Sequence, residues 1–133
     1  MATRTATCNC GQLSLACEGE PVRLSVCHCL ECQRRTGSVF GTQARFPRAR
    51  VAIEGQATAW SRAADSGNSL TFHFCPACGT TLYWIASDFP DVIAVAVGGF
   101  ADPSHPPPRF SVYENRRHAW VAIETGQPIE RLG

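Results

Sequence analysis

Seven of the eight cysteines in this 133-residue chain fall into three tight groups. That spacing limits what the chain can fold into more than any other feature. The groups are Cys8-Asn9-Cys10-Gly11, Cys27-His28-Cys29-Leu30-Glu31-Cys32 and Cys75-Pro76-Ala77-Cys78-Gly79. Four thiolates close a tetrahedral zinc site, whereas three leave one position for a substrate. Two pairs and one triplet therefore predict two zinc ions per chain, one structural and one reactive.

The local spacing supports that reading. Sulfurs on a tetrahedral zinc lie about 3.8 Å apart. Residues i and i+2 of a strand face the same way, so Cys8 and Cys10 can converge on one ion, as can Cys27 and Cys29. His28 then points to the opposite face and reads as a buried or hydrogen-bonded structural residue. The Cys75-Pro-Ala-Cys78-Gly segment resembles a zinc knuckle: Pro76 presets the turn and Gly79 permits positive φ. Disulfides would need an oxidising compartment, and no thioredoxin-like βαβ pattern surrounds Cys75 and Cys78. An iron–sulfur centre is a weaker reading of the same sulfurs. Cys17 ends an alternating strand and reads as a small buried hydrophobe. Spacing alone leaves open which pairs share an ion.

A chain of this length fits one domain, expected over residues 1–133. No run is long enough to span a membrane. The first residues lack the apolar stretch of a signal peptide, so a cytoplasmic, thiol-reducing location is expected. The formal charge is +1, and seven thiolates on two divalent ions take it slightly negative. Neither value suits a nucleic-acid binder, and no aromatic-basic stripe is long enough to track a strand. All twelve basic residues are arginines. One cluster, Arg34, Arg35, Arg45, Arg48 and Arg50, suits either a solvated face or a bidentate grip on a small carboxylate.

The periodicity is mainly β. Strand-like stretches run over 3–8, 12–17, 38–45, 51–54, 57–62, 69–74, 80–85, 92–97 and 110–113. Asp65-Ser66-Gly67-Asn68 is a turn. Leu30–Thr36 is the one short helix, stopped by Gly37. The proline-rich 102–108 stretch excludes helix and central strand.

At these residues the chain resembles the glutathione-dependent formaldehyde-activating enzyme family. The matching pieces are Cys8-Asn-Cys10-Gly11, Cys27-His-Cys29-x-x-Cys32-x-x-x-x-Gly37 and Phe74-Cys75-x-x-Cys78-Gly79-x-x-Leu82. An aromatic-basic segment near 113–120 is also similar. The resemblance implies small antiparallel sheets stapled by zinc, the β-tent, with one short helix. It implies Cys8, Cys10, Cys75 and Cys78 as structural zinc ligands, and Cys27, Cys29 and Cys32 as catalytic ones. It implies a carbon–sulfur lyase activity joining glutathione and formaldehyde into S-hydroxymethylglutathione, with a small thiol and aldehyde as partners. Fold does not fix function, so a non-catalytic zinc-stapled binding module is the alternative.

The reactive side chains are less legible. His118, His73 and Glu31 are candidates to move the proton, His118 first. Arg34, Arg35 and Arg116 are candidates to hold a carboxylate; Arg34 and Arg35 follow Cys32 on the same short helix. Trp84 and Phe40 are expected in the core or along an apolar pocket.

Overall fold

A computed structural model describes residues 2–64 and 66–133. Among these residues are eleven strands and one α-helix. Strands β1 (Thr3–Thr7), β2 (Ser14–Glu18) and β5 (Val51–Glu54) form an antiparallel sheet in the order β1-β2-β5. The others are β3 (Arg23–Cys27), β4 (Gly41–Pro47), β6 (Thr58–Ala63), β7 (Ser69–Phe74), β8 (Thr81–Ala86), β9 (Val92–Ala96), β10 (Phe110–Val112) and β11 (Glu130–Arg131). They form a second sheet in the order β11-β10-β3-β4-β9-β8-β7-β6. It is antiparallel except at one edge, where β10 runs parallel to both β3 and β11.

The mainly β fold with a single short helix is thus the one expected. The second sheet is broader than the sequence suggested, and its parallel edge is new. Strand β3 was not foreseen, because Arg-Leu-Ser-Val-Cys is short; it is buried on both faces along nearly its whole length. The 38–45 strand starts later, at Gly41, because 37–40 bend out of the helix. The expected turn at 65–68 is represented by an Ala64 N–H bond to Asn68 O (2.6 Å); Asp65 lies outside the described residues. Residues 102–108 carry neither helix nor strand.

The core lies between the sheets. Leu13, Leu15 and Cys17 meet Phe46, Leu82, Ile93 and Val95, all fully buried. Each large side chain so buried contributes roughly 1.5–3 kcal/mol. Alternation along the strands then sends Arg23, Ser25 and Cys27 of β3, and Arg45 of β4, to the opposite face of the large sheet. Trp84 and Phe72 leave the main core in the same direction and pack with Ala94 in a satellite cluster.

Helix α1 (Leu30–Thr36) sits at the end of β3. Cys29 is its N-cap, and the Cys29 sulfur accepts a hydrogen bond from Cys32 N–H at 3.2 Å. Gly37 ends the helix at φ 73°, a left-handed conformation that few other residues tolerate. No helix among the described residues is long and apolar enough to cross a membrane.

Candidate functional site

The cysteines form two clusters. Cys8, Cys10, Cys75 and Cys78 bring their four sulfurs within 4.8 Å of one another, and Cys27, Cys29 and Cys32 do the same with three. In the first cluster the Cys8–Cys10 and Cys10–Cys75 sulfur separations are 3.6 and 3.7 Å. Those distances match the roughly 3.8 Å edge of a tetrahedral zinc–thiolate site. The donor set is soft sulfur throughout, which also suits zinc.

Each cluster is assembled by local backbone geometry. Cys8 and Cys10 do not converge along a strand as the pattern suggested. Strand β1 stops at Thr7, and the pair lies in a turn closed by Gly11 N–H to Cys8 O at 3.0 Å. The opposing pair sits on a second turn, closed by Gly79 N–H to Cys75 O at 2.8 Å with Gly79 at φ 80°. Donors reach the sulfurs: Gln12 Nε2 to Cys75 at 2.9 Å, Leu13 N–H to Cys8 at 3.3 Å, and Thr80 Oγ1 beside Cys78 at 3.3 Å. The Thr80 hydroxyl and backbone N–H lower the Cys78 thiol to about 5. Cys17 is fully buried in the core, and burial pushes its thiol up to about 11, as suits an inert side chain.

In the triplet, Cys27 ends β3 and Cys29 caps α1, while Cys32 follows one turn later. Hydrogen bonds from Cys27 and Cys32 hold the Cys29 thiol down to about 2, and bonding to Cys29 pushes Cys27 well up. Three sulfurs this close oppose each other's ionisation, and a divalent cation is what removes that opposition.

His28, between two of these cysteines, is fully buried and faces the other way. Its Nε2–H donates to Ser111 Oγ at 3.0 Å, and Glu114 Oε2 is 3.3 Å from the same nitrogen. Ser111 Oγ donates in turn to Glu114. Burial holds the imidazole below its usual range, outweighing the pull of Glu114. His28 is thus a structural strut, as its position in the motif implied.

The triplet opens onto a cleft of about 560 Å³. Six arginines line it: Arg23, Arg34, Arg35, Arg45, Arg62 and Arg116. Glu31 is the one acidic residue among its described lining residues. Arg34 pairs with Glu31 at 2.9 Å and is largely exposed. Arg35 instead crosses over Gly41 and lies on the indole of Trp84, 4.1 Å from the ring centroid. Trp84 therefore lines the cleft as well as packing against Phe72.

Other candidates lie elsewhere. Phe40 packs near His28, with 6.1 Å between the rings. His73 stacks on Tyr83, facing the core between the sheets. His118 donates to Gln33 Oε1 at 3.0 Å and does not line the cleft. Gln33 also donates to the carbonyl of His28, so His118 braces the cysteine segment from behind. Arg23, Arg62 and Phe72 were missed in the cleft. Alternation along β3 and β7 was the only available signal for Arg23 and Phe72, and it needed the strand boundaries.

Two packed β-sheets carrying a four-cysteine and a three-cysteine cluster define a cysteine-stapled β protein able to hold metal ions at two places. The family model described as glutathione-dependent formaldehyde-activating enzyme matches residues 3–116, and the chain belongs to that family. The crystal structure of a Rhodobacter sphaeroides protein is similar in fold, with a TM-score of 0.57 and 20% sequence identity. That match covers 71% of this chain and 85% of the other. The comparison with curated proteins finds no match.

Proposed function

We propose that this chain is a zinc-dependent carbon–sulfur lyase acting on a thiol–aldehyde adduct of the S-hydroxymethylglutathione type. The observation that carries the reading is the three-cysteine cluster opening onto an arginine-lined cleft. Cys8, Cys10, Cys75 and Cys78 would hold a structural zinc. Cys27, Cys29 and Cys32 would hold a catalytic one, and three protein ligands would leave a position for a substrate sulfur.

When bound, that zinc lowers the pKa of a substrate thiol and fixes its orientation. In the synthetic direction a carbon–sulfur bond forms and the thiol proton passes to the carbonyl oxygen. In reverse the bond breaks, releasing thiol and aldehyde. Arg35, held flat on Trp84, takes a carboxylate of the thiol in a two-pronged hydrogen bond. Arg34 is already partnered by Glu31 and contributes less. Arg116, which also lines the cleft, is a further contact. Trp84 and Phe72 make the wall that limits water. Glu31 is the candidate proton carrier that lines the cleft; His118 and His73 are displaced from it. A reducing cytoplasm would keep all seven thiols available as ligands.

The test is elemental analysis followed by X-ray absorption with added thiol. The reading expects two zinc ions per chain at full occupancy. It also expects the average zinc shell to gain sulfur with saturating glutathione. An unchanged shell removes the mechanism and favours a non-catalytic zinc-stapled binding module.

A further inference from the structure

The register of the large sheet lines up a row of side chains on the cleft face. Trp60 is paired with Phe72, Phe72 with Trp84, Trp84 with Ala94, Ala94 with Arg45, and Arg45 with Arg23. The aromatic half packs on itself. The other half sets two arginines directly across from each other on neighbouring strands.

Like charges in that relation repel, and each of the two residues is half-buried as well. No carboxylate among the described residues lies within ion-pair distance of either. Arg23 stacks its guanidinium on Phe110 at 4.1 Å, and its Nε is buried with no hydrogen-bond partner among the described residues. Burial pulls Arg45 below its usual pKa and the charge of Arg23 pulls it further, outweighing the opposite pull of Asp88 and Cys27, neither of which forms an ion pair with it. An unpaired, partly desolvated pair of like charges of this kind is costly. A bound anion would relieve it.

The pair also has a defined place relative to the sulfur end of the cleft. Arg23 and Cys27 lie four residues apart on β3, facing the same way, so their Cα atoms are about 13 Å apart. Both arginines also border a smaller extension of the cleft, about 280 Å³, that continues toward Val22, Phe89 and Val92.

We propose that Arg23 and Arg45 form a second anion subsite in the cleft, taking the carboxylate most distant from the sulfur of a thiol substrate. The thiol end of this inference rests on the lyase reading; the anion end rests on the arginine pair alone. A thiol whose acid group is only one carbon from sulfur, such as mercaptoacetate, is too short to use the zinc and this pair together.

The experiment measures binding of S-methylglutathione to zinc-replete protein by calorimetry. This probe keeps both carboxylates but lacks a free thiol. Arg23→Met and Arg45→Met should each weaken it about tenfold or more, the usual cost of a lost charged hydrogen bond. Arg48→Met, outside the cleft, should leave it unchanged. The diethyl ester of S-methylglutathione should ignore all three substitutions. Both single variants should melt no lower than the parent, since each removes one of two opposed charges. Wild-type protein gives an independent reading: S-methylglutathione should protect Arg23 and Arg45 from phenylglyoxal, as located by peptide mass spectrometry. Unchanged affinity in both variants, or no protection of either arginine, overturns the proposal. 2-Mercaptoethanol separates the two readings. If it fails to enter the zinc shell while S-methylglutathione still depends on Arg23 and Arg45, the lyase reading fails and the subsite stands. If it enters the shell and S-methylglutathione ignores both arginines, the subsite alone fails.

Discussion

A methyl group placed on Gly41 would lie 2.6 Å from Nη2 of Arg35. Gly41 pairs with Cys27 across β3 and β4, so the arginine passes directly beside the triplet on its way to Trp84. The other neighbours of that methyl, on Cys32 and Thr36, are at ordinary contact distances of 3.5 and 3.6 Å. Only the end of a flexible side chain must move.

Gly41→Ala should therefore unseat Arg35 without changing any charge or any cysteine. The expected result is weaker binding of glutathione, by about tenfold, with little change in the affinity of 2-mercaptoethanol or in thermal stability. Equal losses for the two thiols would show that the substitution had disturbed the cysteine cluster instead.

The two clusters should differ sharply in what they hold together. Cys75 is buried and ties the end of β7 to the turn after β1, so Cys75→Ser should unfold the protein. A structural zinc can supply on the order of 10 kcal/mol, comparable to the roughly 5–15 kcal/mol of a whole domain. Cys29→Ser should stay folded and lose activity. Serine is a good N-cap, so the cap that Cys29 gives to α1 survives the exchange. Circular dichroism melts of the two variants check this, and equal losses would contradict the division of roles.

Glu114 offers a pH test. Burial pushes its carboxyl up, but the Ser111 hydroxyl and the charges of Arg131 and Arg117 outweigh that and hold it below its usual 4.5. A folded-state value below the unfolded one adds stability above the unfolded pKa, and the gain disappears as pH falls through the folded value. Wild type should thus melt above Glu114→Gln by a steady margin from neutrality down to about pH 4.5, with the margin closing below that. A margin that widens in acid would reverse the sign.

How much of this was readable in advance depended on the range of the interaction. Leu30–Thr36 and its Gly37 stop are local signals and appear as expected. The C-x-x-C turn is equally local, as is the turning of His28 away from its neighbouring cysteines, whereas the partners that hold His28 are distant in sequence. The convergence of Cys8 and Cys10 was legible, but its cause was not, since a turn and a pleat both bring i and i+2 together. Arg23 was hard to see as a cleft residue because β3 is only five residues long and its boundaries were not known, and its apposition to Arg45 exists only through the β3–β4 register. The fate of His118 hinged on Gln33, 85 positions away.

The parallel pairing of β10 with β3 has a consequence for the order of assembly. His28 is locked by Ser111, 83 residues later, and Glu114 is steadied from Arg131. Contacts of such separation close late, because a long loop must be gathered first. During synthesis the four-cysteine cluster has all its ligands once residue 78 has emerged. The segment carrying Cys27, Cys29 and Cys32 gains its rear support only after residues 110–131 dock along β3. On the proposed reading, stable metal capture by these three cysteines would wait for that rear support, although all three ligands are present once residue 32 has emerged.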